Sequence, residues 1–285
     1  MNLAEQKRAL ACAVKAARAA GSLMRRNLRA TKKINAAYQH DIKLELDVRC
    51  QKLIGKILRT GFPSLALLGE EGVTGDPKAA QRWVVDPIDG TVNFAYGIPH
   101  ACVSIALQAQ RPRPTPTEDC MGQAVQGPRS GRSKLNIAEH ETLVGVVYDP
   151  FNEELWTAIR GQPARLNRKI IHVSQRRQLR EALVSIGFAK SRINLERTLP
   201  YFSKLVWRVR KIRLMGSAAL AMTYVATGRF DAYIESGIHL WDIAAGGLIV
   251  ECAGGEFWRE PIAGQYSYRL ITSNGLLRKK LELIG

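Results

Sequence analysis

Asp86-Pro87-Ile88-Asp89-Gly90-Thr91-Val92-Asn93-Phe94 follows directly on the apolar run Trp83-Val84-Val85. The apolar run reads as a short buried strand. Two carboxylates then flank a turn in which Pro87 fixes one backbone angle. Gly90 and Thr91 open a tight turn or a helix, whose free N–H groups suit a phosphate. Two carboxylates three residues apart at such a turn can share a hard cation. On its own the segment reads first as an ordinary Asp-rich turn, because short motifs match often.

The chain on either side sets this turn in an alternating pattern. Upstream, Val48, Leu53, Ile54, Ile57 and Leu58 mark a helix over about 47–59, stopped by Gly61 and Pro63. Leu65-Ala66-Leu67-Leu68 then reads as a strand ending at Gly69-Glu70-Glu71-Gly72. Downstream, Cys102 to Leu107 and Leu143 to Val147 look like further strands. Between them, about 110–140 holds Pro112, Pro114, Pro116 and Pro128 with little apolar content, and reads as a surface insertion.

The second half alternates again. Ala182 to Phe188 and Phe230 to Ile234 suggest strands, Ser217 caps a helix over about 218–227, and Asp242 opens a helix ended near Gly254-Gly255. Leu276 to Leu283 fits a short terminal element. Near the N-terminus, Leu10, Val14, Ala17, Gly21, Met24 and Leu28 repeat at helical spacing, which predicts an amphipathic helix packed by that stripe. Mixed alternation of this kind predicts a layered α/β fold. A single catalytic domain over 1–285 is expected, with an N-terminal lobe of about 1–180 and a C-terminal lobe of about 181–285.

Composition narrows the function classes. With 285 residues, 46% of them hydrophobic, the chain can bury a large core. No run of 18 apolar residues exists, so a transmembrane helix is not expected. Five cysteines without a CxxC pair point to a reducing cytoplasm rather than a disulfide framework or zinc site. Lys plus Arg is 42 against 25 Asp plus Glu, a net charge of +17. Such a surface attracts polyanions and also steers small phosphorylated substrates.

Each acidic residue taken singly has a plain reading. Glu70-Glu71 is a solvated loop, Asp242 a helix N-cap, Asp47 the first-turn acid of its helix, and His239 a structural histidine. Taken together they place acids at several strand ends and helix starts in a chain short of acids. Convergence would cost about 4 kcal/mol for each pair ~4 Å apart at an effective dielectric near 20. Such a cluster needs cations, and all-oxygen donors favour magnesium over zinc.

The segments Gly69-Glu70-Glu71, Asp86 to Phe94 and Trp241-Asp242-Ile243-Ala244-Ala245-Gly246, in this order and spacing, resemble the inositol monophosphatase family of metal-dependent phosphatases. Gly216-Ser217-Ala218 and Glu235-Ser236-Gly237-Ile238-His239 fit the same pattern. The resemblance runs from about 5 to 280 apart from the 110–140 insertion. It implies the αβαβα sandwich shared with fructose-1,6-bisphosphatases, and a homodimer. It implies that Glu70, Asp86 and the Ile88 carbonyl hold one magnesium ion, and Asp86, Asp89 and Asp242 a second. A third, weaker ion would sit near Glu70 through waters. Thr91 would position and deprotonate the attacking water, with Asp47 orienting its hydroxyl. Backbone N–H groups of Gly90 and Thr91 would bind the phosphate. Glu235 and the Gly216–Ala218 backbone, beside Asp89 and Asp242, would face the alcohol portion of the substrate. The usual Asn-Gly turn of the family is replaced by Asn167-Arg168, and the basic residue that the family often carries before the second helix has no obvious match at Ala36-Ala37.

The function expected is hydrolysis of a small phosphate monoester, led by inositol monophosphate or a related polyol phosphate. Fructose bisphosphate, a nucleotide 3′-phosphate and histidinol phosphate are alternatives within the same chemistry. A basic nucleic-acid-binding regulator on this scaffold is the alternative of another class. It is motivated by Arg192, Arg197, Lys204, Arg208, Arg210, Lys211 and Arg213, with Arg111, Arg113, Arg129, Arg132 and Lys134 of the insertion, as a source of weak, non-specific nucleic-acid affinity. Asp89→Asn is expected to abolish turnover and, by relieving repulsion with Asp86, to raise metal-free heat stability.

Overall fold

The structure, a computed structural model, describes residues 1–38, 41–111, 140–188 and 192–282. Most of the 110–140 insertion, with Arg113, Arg129, Arg132 and Lys134, therefore lies outside the described residues, as does the side chain of Arg197. Helix α1 (Leu3–Asn27) is closed at its start by a reciprocal pair: the Asn2 side chain accepts from the Glu5 N–H, and Glu5 accepts from that of Asn2. A hairpin of β1 (Ile34–Tyr38) and β2 (Asp41–Leu44) leads into α2 (Glu45–Gly61), where Asp47 accepts the Leu44 N–H at 2.8 Å.

The larger sheet contains β3 (Ala66–Gly69), β4 (Gly72–Thr74), β5 (Gln81–Asp89), β6 (Cys102–Gln110), β7 (His140–Asp149), β8 (Glu154–Ile159), β9 (Arg165–Leu166) and β10 (Lys169–Ile170). Its order is β10-β9-β8-β7-β6-β5-β3-β4, and only β3 and β5 are parallel. Short helix α3 (Thr91–Ala95) follows β5. The smaller sheet contains β11 (Leu183–Ile186), β12 (Lys211–Arg213), β13 (Ala232–His239), β14 (Glu256–Pro261) and β15 (Ser267–Ser273), ordered β12-β11-β13-β15-β14. Helix α4 (Arg192–Val206) precedes β12, α5 (Ala218–Ala226) and α6 (Leu240–Cys252) flank β13, and α7 (Arg278–Glu282) follows β15.

Three apolar clusters stack these elements into five layers. The first joins α1 and α2 to the larger sheet through residues such as Ala13, Ile54, Trp83 and Val144. The second fills the space between the two sheets with α5 and α6, including Leu220, Met222, Leu248 and Trp156. The third places α4 and α7 on the outer face of the smaller sheet through Leu205, Leu281, Val184 and Ile271. This is the α-β-α-β-α sandwich the sequence implied.

Helix α1 packs on the core by the stripe the sequence marked: Ala17, Gly21 and Met24 are buried, and Leu10, Val14 and Leu28 are half-buried against the same cluster. Ala9, Ala13, Ala16 and Ala20 widen the buried face, and the approach is close: a Cβ at Gly21 would lie 2.6 Å from the Tyr148 ring. One expectation needs correction. Asp242 is not the N-cap of α6. His239 holds that position, and Asp242 sits three residues on, its carboxylate accepting the His239 N–H at 2.9 Å. The Asn167-Arg168 turn does close a hairpin, with both residues at positive φ (47° and 73°). Asn167 offsets that strain by accepting the Leu155 N–H at 3.0 Å.

Candidate active site

Strand β5 carries the decisive segment into the site through a bulge. Asp86 pairs with Ser104 and Asp89 with Cys102, so β5 has one more residue than its partner between those pairs. Pro87, without an N–H, sits in that irregularity, and the Ile88 N–H turns back onto Asp86 Oδ1 at 3.0 Å. The bulge aims Asp86 and Asp89 at one region, where regular alternation would have put residues three apart on opposite faces. Gly90 then takes φ 92° and starts α3. A Cβ there would lie 2.9 Å from the His100 carbonyl oxygen and 3.2 Å from that of Gly216, so glycine is required twice over.

Asp89 joins the two halves of the chain. Its carboxylate accepts the Ser217 hydroxyl at 2.5 Å and the N–H groups of Ala218 and Ala219 at 3.3 and 2.7 Å. These donors open α5, so Asp89 acts as a cap delivered from another strand. The Cys102 thiol also points at Asp89, at 3.7 Å. Asn93 reinforces the junction: its side-chain amide donates to the carbonyls of His100 at 2.9 Å and Met215 at 2.8 Å.

Oxygens of Asp86, Asp89 and Asp242 lie within 4.8 Å of one another. Asp86 and Asp89 are buried. Desolvation, then the charges of Glu70, Asp89 and Asp242, pushes the Asp86 carboxyl well above the usual range. Asp242 is raised the same way by burial, Glu70 and Asp89. Asp89 is raised by burial, against which its three donors pull down. Asp47, buried in the first turn of α2, is pushed up to about 8 by desolvation and by Glu70 and Glu71, despite the bond from Leu44. Its Oδ1 is buried without a hydrogen-bond partner.

The cluster lies on one wall of a cleft of about 650 Å³ between the sheets. Five carboxylates line it, Glu70, Asp86, Asp89, Glu235 and Asp242, and no Lys or Arg among the described residues does. In a chain of net charge +17, that segregation is a chemical statement. Carboxylate and carbonyl oxygens alone suit a hard divalent cation, and unscreened they would repel any phosphate. The donor set therefore fits a hard divalent cation.

The structure brings Glu70, Asp86, Ile88, Asp89, Gly90, Thr91, Gly216, Ser217, Ala218, Glu235 and Asp242 into this one cleft. Asp47 is close enough to raise the Asp86 carboxyl by its charge, but it does not line the cleft. The Thr91 hydroxyl donates to the Ile88 carbonyl at 2.8 Å, not to Asp47. Two residues had escaped the sequence reading. Asn93 stood inside the quoted motif, where an amide with two donors beside a turn is the signal. Tyr233 precedes Glu235 by two, the strand period that puts both on one face, and its hydroxyl donates to Glu235 Oε2. His239 stacks on Trp241, with ring centroids 4.9 Å apart, in keeping with a structural role.

With this geometry in hand, comparison with known proteins is informative. The profile of the inositol monophosphatase family matches residues 5–115 and 136–274. A tomato (Solanum lycopersicum) protein named inositol monophosphatase 1 is 34% identical over 280 residues, covering 95% of this chain and 92% of its own. A Xylella fastidiosa protein named Nus factor SuhB is 36% identical over 254 residues, covering 88% and 81%. The crystal structure of the extragenic suppressor protein suhB from Bartonella henselae superposes with a TM-score of 0.79 at 30% identity, over 97% of each chain.

Two outcomes follow from the electrostatics. Groups with raised native pKa values bind more protons folded than unfolded, so stability is lost as pH rises from the unfolded carboxylate range through the native values. In chelator the melting temperature is therefore expected to fall between pH 5 and pH 8, the upper edge set by Asp47 at about 8, and added magnesium should flatten this fall. Scanning fluorimetry across pH reads it; a melting temperature that rises over this range would contradict the raised values.

The structure also reverses one expectation. Asp89→Asn would turn an amide NH2 towards the N–H donors at the start of α5, so it should lower metal-free stability rather than raise it. Asp86→Asn keeps an oxygen for the Ile88 N–H and removes one repelling charge. It should raise the metal-free melting temperature, by about 2–4 °C for each kcal/mol gained. Thermal melts of both variants in chelator at pH 8 decide the order.

Proposed function

The chain belongs to the inositol monophosphatase family, and from that premise we propose that it is a magnesium-dependent phosphomonoesterase acting on inositol monophosphate or a related polyol phosphate. The observation that carries this reading is the cleft lined by five carboxylates and by no Lys or Arg among the described residues.

Glu70, Asp86 and the Ile88 carbonyl would hold one ion, and Asp86, Asp89 and Asp242 another. Bound there, magnesium supplies the positive charge that attracts a phosphate dianion and acidifies a coordinated water. The chain's own groups position the reactants. Thr91 Oγ1, its hydroxyl hydrogen engaged in the bond to the Ile88 carbonyl, offers acceptor lone pairs and so orients a water by taking a hydrogen bond from it. Asp47 acts from behind: it is buried at the start of α2, close enough for its charge to be felt by Asp86, and with Glu70 it raises the demand for cations in the cleft. Gly90 and Thr91 present backbone N–H groups to the phosphate.

Glu235 lines the same cleft, near enough for its charge to raise the Asp242 carboxyl, and lies over Gly187, where a Cβ would come 1.9 Å from its carboxylate. With Tyr233 already donating to it, Glu235 can only accept from a substrate, which favours a hydroxyl-rich alcohol. Fructose bisphosphate, a nucleotide 3′-phosphate and histidinol phosphate also carry donors and remain within the same chemistry. The homodimer and cytoplasmic setting belong to this reading, and light scattering on the purified chain tests the first. No helix among the described residues is long and apolar enough to cross a membrane.

Phosphate release from a panel of monoesters, with magnesium and with excess chelator, tests the proposal. Turnover is expected only with magnesium; full turnover in chelator, or none on any ester with magnesium, overturns it. Glu235→Gln should shift the ratio of kcat/KM between a polyol phosphate and a simple aryl phosphate about tenfold, with the magnesium requirement little changed. A steep rise in that requirement with the substrate ranking intact would instead place Glu235 among the metal ligands.

A further inference from the structure

The end of α4 and the strand beside it form a surface that the phosphatase chemistry does not use. Trp207, in the turn after α4, is 87% exposed, the most exposed large apolar side chain among the described residues. Arg208, Arg210 and Lys211 follow it and are exposed. The fold brings a second basic segment alongside. The Arg210 N–H donates to the Ala182 carbonyl at 3.0 Å, which sets this turn against Arg177 and Arg180, both exposed. The Lys280 ammonium of α7 reaches the Arg177 carbonyl at 2.6 Å. Among the described residues, Arg177, Arg180, Arg208, Arg210 and Lys211 make no ion pair within 4 Å.

A plain account exists for part of this. Strand β12 is an edge, and Lys or Arg on an edge strand prevents sheet-to-sheet pairing. That account covers Lys211 and Arg213. It does not cover a wholly exposed tryptophan, which would promote association, nor the cations contributed from 177–180 and α7. An exposed aromatic side chain, with cations that make no ion pair on its own segment and on the segments hydrogen-bonded to it, fits a ligand that offers both flat bases and phosphates. Duplex nucleic acid hides its bases in the stack, so the combination selects a single strand.

We propose that this surface, Trp207 with Arg177, Arg180, Arg208, Arg210, Lys211 and Lys280, binds single-stranded nucleic acid without sequence preference, one base stacking on Trp207 and the backbone phosphates lying on the cations. The site is separate from the cleft. Lys211 pairs with Leu183 at the start of β11, whereas Ser185 and Ile186 at its other end line the cleft, and a strand of four residues spans about 10 Å. Nucleic acid bound here leaves the acid cluster open, and the two activities are independent. The assignment does not rest on the phosphatase reading.

The test is an anisotropy titration of the full chain with a labelled mixed-sequence 12-mer, as RNA, as DNA and as duplex. About four phosphate contacts give a log–log salt slope near −3, so affinity for the single strands should drop about 50-fold between 50 and 200 mM salt. Trp207→Ala should weaken single-strand binding about tenfold and narrow the gap to duplex. The triple variant Arg208→Glu, Arg210→Glu, Lys211→Glu should abolish binding, while hydrolysis of a small monoester, which also reports correct folding, stays at the parent rate. Absence of binding at 50 mM salt, or binding that both variants leave intact, overturns the proposal. So does a triple variant that loses binding only to phosphatidylserine vesicles, which would make the surface a membrane contact, or a Trp207→Ala effect equal on duplex and single strand.

Discussion

Carboxylate oxygens of Asp86, Asp89 and Asp242 lie within 4.8 Å of one another in a largely dry part of the molecule, and much of the structure exists to hold them there. Like charges so close and so poorly solvated favour either protons or bound cations. The acids arrive by two devices: the bulge of β5 for Asp86 and Asp89, and the first turn of α6 for Asp242. No single element could deliver all three, because a helix or strand spaces its side chains too regularly.

The cap made by Asp89 is the mechanical centre of this arrangement. It takes three donors from the start of α5, so a residue of the larger sheet terminates a helix that packs on the smaller one. Asn93 ties the same two segments through the carbonyls of His100 and Met215. Close approach makes both bonds possible. Gly90 admits the His100 and Gly216 carbonyls, and Gly145 of β7 lies so near α6 that a Cβ would come within 2.8 Å of the Ala245 oxygen. Small residues in WDIAAG thus serve packing, while the aspartate they follow serves the site.

Charge is segregated on the scale of the whole molecule. The cleft is acidic and the exterior is strongly basic, a pairing that suits anionic ligands in two ways. At long range the exterior attracts them. At short range the acidic cleft holds them only when cations intervene, which makes catalysis depend on a metal while attraction does not. The exposed Trp207 surface belongs to the first regime and the cleft to the second.

The chain by itself determined the layered α/β class, the order of the acidic segments and the identity of the carboxylates that line the cleft. It did so because residues such as Pro87, Gly90 and Ser217 act on the backbone locally: they fix a dihedral, permit a positive φ, or cap a helix wherever they stand. The tertiary structure decided what depends on distant partners. The width of the buried face of α1, which adds Ala9, Ala13, Ala16 and Ala20 to the stripe, was set by its close approach to the sheet, with the Tyr148 ring against Gly21. Asp242 moved from cap to third position because His239, at the end of β13, already closes the helix. Asp47 lost Thr91 to the Ile88 carbonyl. Trp207 met a basic segment about thirty residues upstream through the pairing of β12 with β11. Local conformational rules act between neighbours in sequence and can be read there; burial, repulsion and hydrogen bonding act between neighbours in space, and those exist only once the sheets have packed.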